Sequence, residues 1–240
     1  MLLYENRQMT ASADVNLWST AEHALEYLRM ADSIPHRVEG EATLLEFVPP
    51  DARRILDIGS GGGRLLALVK AARPQAQFVA MDFSPTMLEA LEKRFADSRP
   101  SQKARKDGAP DVTIVAHDFA NKLPDLNSGR DLGRFDCVVS SFAIHHVSHE
   151  RKRSLYAEVF DLLSPGGVFC NLEHVSSPTS HLHHEFLKRL GVEPERDDPS
   201  NKLLDLETQL TWLREVGFTD VDCHWKWREL ALLVGSRAIG

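Results

Sequence analysis

The chain has 240 residues, 42% hydrophobic and 26% charged, with 28 Lys and Arg against 35 Asp and Glu for a net charge of −7. A chain of this length buries a full α/β core without a disulfide or metal, and its acidic balance offers phosphate backbones no general attraction, so nucleic acid is not expected as the main partner. Nothing in it approaches the ~18 uninterrupted apolar residues of a membrane span, and no basic stretch leads into an apolar block at the start, so a cytoplasmic protein is expected.

Residues 1–13 are polar, carry a second methionine (Met9), and read as a loose tail. From 14 to 30, Leu17, Trp18, Ala21, Leu25 and Leu28 fall at helical spacing. Pro35 ends that pattern, and a second one runs through Val38, Ala42, Leu45 and Phe47 to Pro49-Pro50. Strands and helices then alternate: strand 53–58, helix 64–72, strand 77–81, helix 85–95 with Ser84 as its N-cap, strand 112–117, strand 135–141, helix 150–163 and, after Pro165-Gly166-Gly167, strand 168–175. The connection 97–110, with Arg99, Lys103, Arg105 and Lys106, is too polar to pack a core. Residues 176–217 hold a histidine-rich helix (180–190), an acidic linker (193–199) and a helix (206–216) stopped by Gly217. Segments 220–226 and 229–236 read as two strands joined by a tight turn. Cys137, Cys170 and Cys223 form no CxxC pair, which suits a reducing compartment.

The alternation implies an α/β fold, a doubly wound, mostly parallel seven-stranded sheet with a terminal antiparallel hairpin and a helical lid. In this reading residues 1–50 supply the tail and lid helices, and 51–240 form the ligand-binding domain with a lid insertion at about 176–217.

The first strand runs into Asp57-Ile58-Gly59-Ser60-Gly61-Gly62-Gly63. Glycines there let the backbone turn sharply and let a ligand approach, and the helix start beyond them presents N–H groups. The dinucleotide fingerprint G-x-G-x-x-G would need glycine where Arg64 stands, and Gly63-Arg64-Leu65 does not supply the Gly-Lys-Ser/Thr of a phosphate-cradling loop. What stands, D-x-G-x-G-x-G, resembles motif I of the class I S-adenosylmethionine (SAM) dependent methyltransferases. Met81-Asp82-Phe83-Ser84, His117-Asp118-Phe119, the strand Phe135 to Phe142 (similar to motif IV) and Leu163-Ser164-Pro165-Gly166-Gly167 extend the resemblance over about 50–175, and the terminal hairpin adds to it.

The resemblance implies a Rossmann-like fold and SAM as cofactor. It places Asp57, Gly59, Ser60, Gly61 and Gly63 in the cofactor loop, Asp82 on the ribose hydroxyls with Phe83 and Met87 beside it, Asp118 and Phe119 at the adenine, and Ser140 near the methionine portion. Taken singly, Asp82 or Asp118 also reads as a strand-end cap.

Methyl transfer depends on alignment, and a general base is needed only where the acceptor loses a proton. His145, in the segment leaving the fourth strand, is a candidate base or acceptor-orienting group; its other reading is a turn cap. Glu173, at the end of the fifth strand, is the second candidate, against a solvated strand end. His181, His183, His184 and Glu185 lack HExxH or a closed four-ligand spacing, so no metal is expected. Trp18, Tyr27, Arg37, Phe186, Trp212, Trp225 and Trp227 are candidates for a flat or apolar acceptor pocket, or for core.

Ile34-Pro35-His36-Arg37, His183-His184-Glu185-Phe186-Leu187-Lys188 and the stretch 210–218 are similar to the carboxy-SAM synthase branch, which converts SAM with prephenate. In those relatives a basic residue outside the glycine loop helps hold the carboxylated cofactor, and the likeness makes Arg37 and Lys202 positional candidates for it. The expected function is transfer of the sulfonium methyl to an O, N or C atom of a small-molecule acceptor, in a monomer or homodimer. The alternatives are carboxy-SAM chemistry, an RNA-directed methyltransferase motivated by the basic connection, and a non-enzymatic SAM-binding subunit.

Overall fold

A computed structural model describes residues 17–96, 112–126 and 134–240; the expected tail (1–13) and basic connection (97–110) lie outside them. The apolar run Arg54–Ile58 forms β1, buried at every position, which is the pattern of a parallel strand covered on both faces. It pairs in parallel with β2 (Gln77–Asp82) and β4 (Phe135–Ser141); β3 (Val112–Ala116) lies outside β2, and β5 (Leu163–His174) outside β4. The hairpin β6 (Thr219–Trp227) and β7 (Leu230–Ser236) closes the sheet, with β7 antiparallel to β5, giving the order β3-β2-β1-β4-β5-β7-β6.

Seven α-helices among the described residues cover this sheet: α1 (Ala21–Met30), α2 (Arg37–Phe47), α3 (Arg64–Ala72), α4 (Pro85–Ala96), α5 (His149–Leu162), α6 (Ser180–Leu190) and α7 (Leu206–Val216). On one face Leu155, Tyr156 and Val159 of α5 and Leu210 and Leu213 of α7 pack on Leu56, Ile58 and Phe169. On the other, Leu44, Leu66, Val69 and Phe186 from α2, α3 and α6 pack on Ile55, Phe78 and Cys170. The strand order reverses beside β1, so β1 and β4 end at a crevice, the place where open α/β sheets hold ligands.

Four local expectations change. The apolar face expected for α2 is not the buried one: Val38 is 65% exposed, while Arg37, Gly40, Glu41 and Leu44 face inward. Glu41 is needed inside because it pairs with two arginines, described below. The described part of the first helical pattern breaks at Thr20, where an extended backbone (ψ 136°) separates a 3-10 turn at Leu17–Ser19 from α1. Ser84 does not cap α4 through its side chain, since its buried hydroxyl has no hydrogen-bond partner. The fifth strand begins at Leu163 rather than 168, because Arg237 exchanges backbone hydrogen bonds with Gly166 and Gly167 at 2.7 and 2.8 Å and keeps the Pro-Gly-Gly turn in the ladder.

Candidate functional site

The loop after β1 is held by its own sequence. Ser60 Oγ donates to the Asp57 carbonyl at 2.9 Å and accepts from the Met81 N–H at 3.1 Å, tying the ends of β1 and β2 together. Gly59 has φ +69°, and a Cβ on it would stand 2.3 Å from the Ala143 Cβ, so the crossing of this loop with the segment after β4 admits only glycine. Gly63, at φ +77°, opens α3, and a Cβ there would meet Leu91 at 2.5 Å.

Three acids point from strand ends toward the crevice. Asp57 is 1% exposed, and neither carboxylate oxygen has a hydrogen-bond partner. Burial pushes its pKa up to about 7, despite Ser60 and with the nearby Asp82 charge adding to the rise. Asp82 accepts from the Gly61 N–H at 2.9 Å on one oxygen and the Ser84 N–H at 2.9 Å on the other, which fixes its plane and leaves a lone pair on each. Burial raises its pKa too, against those hydrogen bonds. Asp118 accepts from the Ala120 N–H at 2.8 Å, beside the buried ring of Phe119.

The opposite end of the crevice is built by the N-terminal helices and the segment before α7. Arg37, 4% exposed, donates from Nε to Glu41 at 2.8 Å and from Nη1 to Tyr27 Oη at 3.2 Å and the Ala31 carbonyl at 3.1 Å. Its guanidinium lies 5.2 Å over the Phe142 ring. Phe142 itself has φ +50°, a strained backbone for a bulky residue at the mouth of β4. Glu41 also receives Arg64 Nε at 2.9 Å and Nη2 at 2.8 Å, so one buried carboxylate serves two guanidiniums; Arg64 reaches Asp32 as well. From Tyr27 the wall continues by ring contact to Trp18 (5.2 Å) and His146 (4.8 Å from Trp18). His146 Nδ1 shares a hydrogen bond with Ser200 Oγ at 3.0 Å.

Behind this wall, His145 Nδ1 and Glu173 Oε1 are 2.7 Å apart and both buried. Burial holds the His145 imidazole well below its usual pKa and raises that of the Glu173 carboxyl. The Glu173 carboxylate also accepts from the His174 N–H at 2.8 Å and Asn171 Nδ2 at 3.3 Å. Burial also holds His146 well below the ordinary histidine value, with the neighbouring His145 adding to the effect.

These elements enclose a cavity of about 510 Å³, large enough for a nucleoside-sized cofactor and a small second molecule. The family model described as a methyltransferase domain matches residues 56–169. A ubiquinone/menaquinone biosynthesis C-methyltransferase of Desulfotalea psychrophila is 30% identical over 146 residues, covering 60% of this chain and 51% of that protein. A carboxy-S-adenosyl-L-methionine synthase of Helicobacter hepaticus is 21% identical over 232 residues, covering 85% and 87%. The structure of an O-methyltransferase family protein from Burkholderia thailandensis superposes with a TM-score of 0.68 at 18% identity, covering 93% of this chain and 62% of that one. Residues 56–169 thus match a methyltransferase domain, and the chain is similar in sequence and fold to class I SAM-dependent methyltransferases. It spans about half the length of the first of these relatives. Among the described residues no helix is long and apolar enough to cross a membrane.

Within this methyltransferase fold, Asp57, Gly59, Ser60, Gly61, Asp82, Phe83, Met87, Asp118, Phe119 and Arg37 all border the cavity. Gly63 and Ser140 do not: Gly63 packs on Leu91, and Ser140 is fully buried with its hydroxyl on the Ile58 carbonyl at 2.8 Å. His145 and Glu173, expected at the acceptor, do not line the cavity either. They pair with each other behind the wall, and the neighbouring His146 faces the cavity instead. Trp18 and Tyr27 line it, whereas Phe186, Trp212, Trp225 and Trp227 pack with the cores. His183 bonds Glu229 at 3.0 Å and Asp197 at 3.2 Å, and no described group of three or more His, Cys, Asp or Glu is placed to hold a metal.

Sequence reading missed Glu41, Ser200, Arg151 and Lys152. Arg151 donates to the Phe119 carbonyl at 2.8 Å and pairs with Glu158, so it props the Phe119 end of the cavity. Lys152 did carry a signal: with Leu155, Tyr156 and Val159 it occupies the apolar face of α5, a core position for a lysine.

Proposed function

We propose that this protein transfers the methyl group of SAM to a small-molecule acceptor bound under the lid formed by residues 17–50 and the insertion at about 176–217. The observation that carries the reading is Asp57: a buried carboxylate with both oxygens unpaired, on the wall of the cavity, is a site waiting for a cation. The ammonium of the methionine portion supplies one, and its arrival would hold the carboxylate ionised. Asp82, with its plane fixed and a lone pair left on each oxygen, suits a ribose diol. Asp118 beside Phe119 suits the adenine amino group and ring. Arg37 Nη2, which has no partner among the described residues, suits the methionine carboxylate.

When bound, SAM supplies an activated methyl whose bond to sulfur breaks as the bond to the acceptor forms, the electron pair staying on sulfur. The protein's part is alignment and exclusion of water. Trp18, Tyr27 and Phe142 give the acceptor apolar faces. His146, kept neutral by burial, takes the acceptor's proton where there is one to lose. The test is SAH formation with methyl-labelled SAM across a panel of phenolic, amine, carboxylic and quinol acceptors. SAM binding without SAH from any of them would leave a binding subunit and sink the enzymatic reading.

A second reading, SAM-modifying chemistry like that of a carboxy-SAM synthase, is favoured by the relative that this chain matches over most of both lengths. It expects a cofactor heavier by a carboxyl group after incubation with SAM and prephenate, read by mass spectrometry.

A further inference from the structure

Among the described residues five guanidinium or ammonium side chains line the cavity: Arg37, Arg64, Arg94, Arg151 and Lys202. Four have ion pairs or hydrogen bonds within the protein. Arg37 and Arg64 share Glu41, Arg151 pairs with Glu158, and Arg94 donates to the Gly62 carbonyl at 2.6 Å. Lys202 is different: its ammonium has no hydrogen bond or ion pair with any described residue.

The backbone of that same residue is fixed twice over. Its N–H donates to the His145 carbonyl at 2.8 Å, and its carbonyl accepts from Lys152 Nζ at 2.6 Å. Lys152 is 0% exposed and directs its three N–H bonds at three carbonyls, those of Val147 (2.6 Å), Lys202 (2.6 Å) and His145 (3.4 Å). Burying an ammonium is costly unless every donor finds an acceptor. Here the burial joins the segment after β4 to the strap 197–202. The strap is latched by Asp197 to His183 (3.2 Å) and Ser200 to His146 (3.0 Å), with Asp198 3.5 Å from His23 between them. A solvated surface lysine needs no such foundation.

We propose that Lys202 anchors an anionic oxygen group, a carboxylate or phosphate, carried by the acceptor away from the atom that receives the methyl. This rests on the methyltransferase reading of the cleft. Lys202 is exposed at the rim, so the anionic group sits at the solvent end and the reacting atom lies deeper, toward His146 and the cofactor. The cleft then has opposite ends: Asp57, Asp82 and Asp118 face the cationic cofactor, and Lys202 faces the anionic acceptor. An anion would also relieve the repulsion between Lys202 and Lys152, one cause of the lowered Lys152 pKa of about 8, behind burial and against the pull of Glu173.

The test uses SAH-loaded full-length protein and matched probes: cinnamate against cinnamamide, glutarate against glutaramide, and phenyl phosphate against phenol, with binding measured by calorimetry. At least one anion should bind about tenfold or more tightly than its neutral partner, the yield of one charge-assisted hydrogen bond. Which anion wins separates carboxylate from phosphate. Lys202→Gln should bring the pair within about twofold, and Lys202→Arg should restore most of the preference, with SAH affinity unchanged in both. Equal binding of every anion and its neutral partner, or a preference that survives Lys202→Gln, overturns the proposal. Failure of wild-type protein to bind SAH would strike the methyltransferase reading instead.

Discussion

Asp57→Asn separates what the cleft needs for its cofactor from what the fold needs for stability. The folded pKa of about 7 against 3.8 means that the protein prefers this group protonated. At about 1.4 kcal/mol per unit, the shift amounts to roughly 4 kcal/mol. For an acid raised in this way, folding loses stability as pH climbs from the unfolded pKa of 3.8 to the folded value of about 7, and above it the loss is complete. Asparagine keeps the shape and cannot ionise. At pH 8 without ligand the variant should therefore be more stable by up to about 4 kcal/mol, of the order of 10 °C in Tm for a chain of this size. SAM affinity should move the other way, falling about 10- to 100-fold with the lost charged partner. Wild type should bind SAM about tenfold more weakly at pH 6 than at pH 8, because the carboxylate must first lose its proton, and in the variant that slope should vanish. Thermal denaturation between pH 4 and 8 and calorimetric titration with SAM read both effects. A variant with unchanged SAM affinity, or a ligand-free protein no more stable at pH 8 than wild type, would refute the reasoning.

Gly59→Ala should abolish measurable SAM binding and lower the Tm, because the new methyl would overlap Ala143 at 2.3 Å and take a left-handed backbone; equilibrium dialysis checks it. Lys152→Met takes a donor from three carbonyls, of which that of His145 keeps the Lys202 N–H, and should destabilise the protein by about 3 kcal/mol, with faster hydrogen exchange at 145–147 and 200–203 than elsewhere. The strap should loosen as pH rises. Burial opposes charge on His183, but its bonds to Glu229 and then Asp197 outweigh burial and raise its pKa. The latch is therefore complete below the unfolded value of 6.5 and is lost through the folded one. Trypsin cleavage after Arg196, corrected against a free peptide, should accelerate across that interval in wild type and not in His183→Gln.

Much of this was readable before the fold was known, for identifiable reasons. β1, β2 and β4 are short apolar runs with Asp57, Asp82 and Ser141 at or next to their last residue, and a parallel sheet requires those ends to meet at one crevice, so spacing along the chain became proximity in space. The end of the cavity built by the N-terminal helices obeyed no such rule. Periodicity chose the Val38 face of α2 as buried, whereas the two-arginine demand on Glu41 turned the opposite face inward, a decision made by Arg64 on another helix. His145 and His146 are adjacent in a 3-10 turn, and only its orientation tells which ring meets the cavity and which meets Glu173. Ser200 and Lys202 lie in an irregular segment with no periodic signal, placed by Lys152 reaching 50 residues along the chain.

Calorimetric titration of the wild-type protein with SAM at pH 6 and pH 8 tests the account at its centre. The structure predicts saturable one-to-one binding that releases protons at pH 6 and far fewer at pH 8, as Asp57 ionises to meet the ammonium. Heats of dilution alone, or binding with no pH-dependent proton release, would contradict it.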